Sequence, residues 1–260
     1  MIVVDKLCYR SGLRYVNAGE KNAFALITLV LCIASRSILT SLVVLSVTSL
    51  LTLWKGKIPT REYLKMMMVP LVFLLLSTLA ILVDVAKTPG DCYAFAVGGG
   101  WYITNSWNQI LYGIQLIFTA LASVSCLYFL SLNTTMTDIL TEFRRMHVPP
   151  LLVELMMLIY RYIFILLSVA DNIRNSQNSR LGNKDYRTSL HSFGAMISVL
   201  FVRAVKKAEA QFNGLEARGY DNAIRVLSEH YPPRKREIAG IAVFEVLLLF
   251  FIIWQKVFFH

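Results

Sequence analysis

The chain is predicted to be an all-α polytopic membrane protein with about five transmembrane helices and a cytosolic module of amphipathic helices. Three observations predict it. Of its 260 residues, 56% are hydrophobic and only 16% charged, with a mean hydropathy of +0.57, whereas soluble domains carry more charge. The apolar residues fall in runs long enough to cross a bilayer, for which about 20 residues suffice. The net charge of +10 is uneven: 12 of the 26 Lys and Arg lie between Asp171 and Arg236. Beside membrane spans such a block points to a cytosolic surface near anionic lipid or an acidic protein partner, and not to nucleic acid.

Met1 to Asn22 carries Asp5 and Glu20 and has no apolar signal-peptide core, so insertion is expected to rely on the first span. Ala23 to Leu53 is nearly continuous apolar sequence broken only by Ser35-Arg36-Ser37. A charge at mid-bilayer costs about 2.5–3.5 kcal/mol, while at a turn Arg36 reaches the headgroups. A short helical hairpin, Ala23–Ala34 and Ile38–Leu53, is therefore expected. Lys55, Lys57, Arg61 and Lys65 mark a basic connector, and Pro59 is placed to start a helix. Met66 to Val83 spans next. Asp84 to Asn105, with Pro89, Gly98-Gly99-Gly100 and Trp101, reads as a loop or small hairpin on the opposite side. Trp107 to Leu132 spans again, and Asn133 to His147 reads as a short amphipathic helix halted by Pro149-Pro150.

Leu151 to Ala170 is apolar enough to cross, but a crossing there would throw the following 12 basic residues to the side opposite the earlier ten. The positive-inside bias opposes that. Leu151–Ser179 is therefore read as a long helix on or below the membrane, with a polar tail. After Tyr231-Pro232-Pro233 a final span runs from Ile238 to Phe259. The organisation is then residues 1–132 (N-terminal segment and four spans), 133–236 (cytosolic helix module) and 237–260 (last span).

The segment Thr188–Asn222 has Leu190, Phe193, Ile197, Leu200, Ala204, Ala208, Phe212 and Leu215 at steps of three and four, the apolar face of a helix. Arg203, Lys206, Lys207 and Gln211 fall on a wetter side. Gly194, Ala204 and Ala208 are small enough to let a second helix cross closely. The helix ends in Glu216-Ala217-Arg218-Gly219, where Gly219 can take positive φ and leave Arg218 in the last turn. Spacing alone leaves two readings open: a guanidinium plug for an acidic or carbonyl-lined socket, or a cation merely well placed at a helix C-terminus. The preceding helix also ends in arginine, at Ser179-Arg180-Leu181-Gly182.

No cofactor and no metal site is indicated. Cys8, Cys32, Cys92 and Cys126 form no CxxC pair, and His147, His191, His230 and His260 are scattered. No phosphate loop or nucleophile elbow is present, so the chain is not expected to be an enzyme. A stand-alone secondary carrier would need inverted repeats and mid-bilayer polar residues, which the sequence does not display.

Ala217-Arg218-Gly219, following an earlier arginine-ended helix, resembles the T component of energy-coupling factor (ECF) transporters. The opening Val4-Asp5-Lys6-Leu7-Cys8-Tyr9-Arg10-Ser11-Gly12-Leu13-Arg14 with Lys21, and the block Leu200–Asp221, are similar to its cobalt branch, the CbiQ-like proteins. Asn17-Ala18-Gly19 departs from the prolines usual there, and Leu181 departs from the small residue usual after the first motif arginine. The resemblance implies a non-catalytic subunit in the cell membrane, its basic module cytoplasmic. Two CbiO-like ATPase subunits would receive Arg180 and Arg218, and a CbiM-like substrate-binding subunit with a small CbiN-like helper would pack alongside. The implied function is to transmit ATPase motion during cobalt import; nickel or a vitamin is the alternative cargo.

Overall fold

A computed structural model describes residues 3–82, 84–86, 93–98, 101–105, 107–220 and 232–258. The expectations that rest on Pro89, Cys92, Gly99, Gly100, Asn222, His230, Tyr231, Phe259 and His260 lie outside those residues. The described chain is helical apart from one small sheet. It divides into two units, Ile2–Ile139 with Glu229–His260, and Leu140–Ser228.

In the larger unit α1 (Val3–Arg10) precedes α2 (Ala18–Ser35) and α3 (Ile38–Leu50), which continues as a π-turn, Leu51–Lys55. The break between α2 and α3 falls at Arg36, whose φ of +46° ends α2, so the expected hairpin is present. Asn17 caps α2, its side-chain oxygen accepting from Gly19 N–H at 2.8 Å. α4 (Thr60–Leu82) starts behind Pro59 and runs through Pro70. The expected loop or hairpin is a three-stranded antiparallel sheet, ordered β1 (Asp84–Ala86), β3 (Trp101–Asn105), β2 (Tyr93–Gly98). α5 (Trp107–Asn133) packs against α1, α2, α3 and α4 and is the hub of the unit, while α9 (Lys235–Phe258) lies on α2.

The apolar core gathers Cys32, Val44, Ala122, Cys126 and Leu248. Phe24 meets the edge of Phe129 with ring centroids 5.3 Å apart. Hydroxyls fill the α3–α5 seam: Thr48 and Ser125 lie 2.7 Å apart, and Tyr63 reaches Ser125 at 2.9 Å and Ser49 at 2.9 Å. The N-terminal segment is pinned by a buried ammonium. Lys21 Nζ donates to the carbonyls of Leu13 at 3.1 Å and of Asn133 at 2.8 Å, the latter at the carbonyl end of α5, where a cation is favoured. Ser11 donates to Asn133 Oδ1 at 2.7 Å. Beside it Cys8 is buried, and burial pushes its thiol up to about 11, so it stays protonated and inert at neutral pH.

The smaller unit holds α7 (Pro150–Ser179) and α8 (Tyr186–Glu216). α6 (Met136–Arg145) spans the boundary between the units in sequence. α7 begins with Pro150 in its first turn, as Pro149-Pro150 foretells. Among the described residues seven helices are long and apolar enough to cross a membrane: α2, α3 with its π-turn, α4, α5 and α9, and also α7 and α8. The first five match the expected spans. The chain is an all-α polytopic membrane protein in which two further helices qualify by length and composition, and their apolar side chains are left largely uncovered by the rest of their unit.

Candidate functional site

α7 and α8 fold back on each other as a hairpin. The turn is held by Gln177 Nε2, which donates to the Ser192 carbonyl at 2.7 Å, and by the Ser192 hydroxyl, which donates to the Gly182 carbonyl at 2.7 Å. At the far end the Tyr220 hydroxyl donates to Glu154 Oε2 at 3.0 Å, and Glu154 is only 5% exposed. That bond ties the end of α8 to the start of α7.

The two helix ends are closed in the same way. After α8, Gly219 N–H bonds to the Glu216 carbonyl at 3.0 Å and Tyr220 N–H to the Leu215 carbonyl at 3.1 Å, with Gly219 at φ +70°. After α7, Leu181 N–H bonds to the Asn178 carbonyl at 3.1 Å and Gly182 N–H to the Gln177 carbonyl at 2.8 Å, with Leu181 at φ +56°. Both are the paired hydrogen bonds of a Schellman motif with a left-handed closing residue. Arg218 and Arg180 therefore occupy the equivalent position, immediately before that residue. Both are exposed, and among the described residues neither guanidinium is in an ion pair. The 31 residues of α8 rise about 46 Å, and that length separates the two tips.

The expected residues sort differently from the helical wheel. Arg180, Ala217, Arg218, Gly219 and Glu216 are all exposed at or beside the tips. Ala204 is half-buried, whereas Ala208 is exposed. Nothing lies within 4 Å of a Cβ placed on Gly194, so the close crossing expected there does not occur within the described residues. The stripe also needs correction. Leu190 is 61% exposed, Phe193 53% and Phe212 62%. The half-buried seam instead follows Ser192, Met196, Leu200, Ala204, Gln211 and Leu215. Ser192 to Ala204 follow steps of four, a ridge inclined to the helix axis, while Gln211, seven residues beyond Ala204, falls on the same helix face as Leu200 and Ala204 although expected on the wet side. The Tyr220–Glu154 contact joins residues 66 apart, and no local pattern announces it.

A family profile described as cobalt transport protein, CbiQ, matches residues 10–228. An uncharacterised protein of Methanocaldococcus jannaschii is 33% identical over 95% of this chain and 91% of its own length. A protein of Methanocorpusculum labreanum, named as a fused cobalt transport protein CbiMQ, is 30% identical over 96% of this chain and 41% of that protein. The cobalt transport protein CbiQ of Salmonella typhimurium is 23% identical over 85% of this chain and 97% of its own. The likeness takes in the opening segment from Arg10, the bundle and both arginine tips, and on it the chain belongs to the CbiQ family, the cobalt branch of the T components of energy-coupling factor transporters.

Proposed function

We propose that this chain is the transmembrane coupling subunit of an ATP-driven ECF importer for cobalt, and that Arg180 and Arg218 are its two contacts with the ATPases. The observation that carries this reading is the pair of tips: two equivalent helix closures, each presenting an exposed guanidinium with no partner among the described residues. An arginine held at a fixed backbone position offers a preorganised fork of donors to an acidic or carbonyl-lined groove. The length of α8 separates the tips enough for each to engage its own CbiO-like subunit. Movement of one ATPase against the other would then load the hairpin as a lever. A CbiM-like substrate-binding subunit, with a CbiN-like helper, takes up the motion and releases the cargo. A relative named as a CbiMQ fusion supports that partnership.

In this reading α7 and α8 lie on the cytosolic side of the cell membrane. The basic residues of Asp171–Arg236 then share a side with those of the earlier connectors. A cysteine at Lys184 is expected to react with an impermeant maleimide only from the cytosolic side.

The test is co-expression with the ATPase and substrate-binding subunits. Arg218→Glu is expected to leave the chain inserted but to cost cobalt uptake and co-purification of the ATPase. Removing one partner of a buried interfacial charge contact costs about 2–5 kcal/mol, or roughly 30-fold to several-thousand-fold in association. Arg180→Glu should weaken the complex at the second contact, and the double variant should abolish it. Normal uptake by both single variants would refute the assignment of the tips.

A further inference from the structure

At one end of the larger unit, the break between α2 and α3, the side of α5 and the end of α9 enclose an open hollow. Its polar lining is Ser35, Arg36, Ser37, Gln115, Gln255 and Lys256, with Leu39 and Ile252 along its apolar wall. Nothing in the cobalt-coupling reading uses these residues.

Three features mark it as a built site. Arg36 and Lys256 both face the hollow, and among the described residues neither has an acidic partner. Two like charges brought to one cavity repel, and that repulsion is relieved by an anion. Second, Arg36 sits at φ +46°, a backbone conformation that a non-glycine residue adopts at a cost of about 1–2 kcal/mol. The Gln115 side chain donates to the Arg36 carbonyl and holds that conformation. Third, Gln255 Oε1 is buried and has no hydrogen-bond partner, so the hollow offers one acceptor beside two cations.

The location selects the ligand. α2, with 18 residues, rises about 27 Å, close to the thickness of the hydrocarbon layer. Its far end therefore reaches the headgroup level. Trp254, 53% exposed, and Tyr112, 57% exposed, lie near the same end, where aromatic side chains mark the membrane–water interface. On the apolar wall beside the cations Leu39 is more than half exposed.

We propose that this hollow binds an anionic phospholipid whose headgroup carries a hydroxyl. Its phosphate sits between Arg36 and Lys256, the headgroup hydroxyl donates to Gln255 Oε1, and the acyl chains run along Leu39 and Ile252. Phosphatidylglycerol is the probe.

The experiment uses the full chain in nanodiscs and detergent, with native mass spectrometry counting retained lipid. The wild type is expected to retain phosphatidylglycerol in preference to phosphatidylcholine. Arg36→Gln and Lys256→Gln should each cut that preference roughly fivefold, the effect of one basic residue at a lipid surface. Lys256→Arg should preserve it, and Gln255→Leu should narrow the margin of phosphatidylglycerol over phosphatidic acid. Lys256 is exposed, so its single variant remains a fair test should the Arg36 variant not fold. Equal retention by Lys256→Gln, equal retention of phosphatidylcholine by the wild type, or displacement of the lipid by millimolar inorganic phosphate would each overturn the proposal.

Discussion

The two units solve opposite problems. The larger one closes on itself: Thr48, Asn133, Ser125 and Leu132 are fully buried, and its polar groups pair across helices. The α7–α8 hairpin buries only Val153 and Glu154 on α7 and nothing on α8, while both of its ends are closed by the same hydrogen bonds. One unit is stabilised by its interior. The other has almost no interior and is shaped by its ends. Substitutions should therefore act on stability in the bundle and on partner contacts in the hairpin.

The largest expected effect tests that division directly. Lys21→Met removes two hydrogen bonds, to the carbonyls of Leu13 and Asn133; the Leu13 oxygen keeps the Val16 N–H, and the Asn133 oxygen loses its buried ammonium donor. Thermal denaturation in detergent should show a loss of about 3 kcal/mol. Arg218→Glu and Arg180→Glu, at exposed positions, should each change stability by less than about 0.5 kcal/mol. Comparable losses in all three variants would erase the contrast between the units.

A smaller effect probes the tie at the open end of the hairpin. Tyr220→Phe removes the bond to the buried Glu154 carboxyl and should cost about 1–2 kcal/mol. The loss should appear as faster hydrogen exchange at the end of α8 with no change in the bundle.

The smallest sharpens the comparison between the tips. Gly219 closes α8 at φ +70°, where Ala should cost about 1 kcal/mol. Leu181 occupies the same conformation with a side chain, so Leu181→Gly should stabilise the end of α7 by about 0.5 kcal/mol, the relief of strain being partly offset by a freer unfolded chain. Opposite signs at the two sites, read by hydrogen exchange at the last turns, would establish their equivalence.

Features governed by one or two residues were legible from sequence. Arg36 had to break an apolar run because a mid-bilayer charge is costly; Pro59 and Pro149-Pro150 mark helix starts, and Gly219 marks a helix end. The positions of Arg180 and Arg218 at helix ends were legible in the same way. What sequence reasoning missed depends on residues brought together over a distance. The part of the seam through Ser192 and Met196 depends on how α7 packs along α8, which a helical wheel does not carry, whereas Gln211 lies on the wheel between Leu200 and Ala204 and only its polarity sets it aside. The left-handed Leu181 was hidden because leucine gives no signal of positive φ. The partners of Lys21 lie at Leu13 and at Asn133, and only the second of these is distant, by 112 residues. The three-stranded sheet needed a pairing between Asp84–Ala86 and Trp101–Asn105 across residues whose composition read as loop.

The α3–α5 contact has a mechanical consequence. Thr48, Ser49, Tyr63 and Ser125 meet through hydroxyls, each able to give a proton or receive one. Ser49, Tyr63 and Ser125 can trade neighbours without stranding a polar atom in a greasy interior, while Thr48 keeps its bond to the Val44 carbonyl. Interhelical bonds of this kind are worth only about 0.6 kcal/mol each, so small slips of one rod past the other meet little resistance. The bundle has, in effect, a lubricated joint along its central axis.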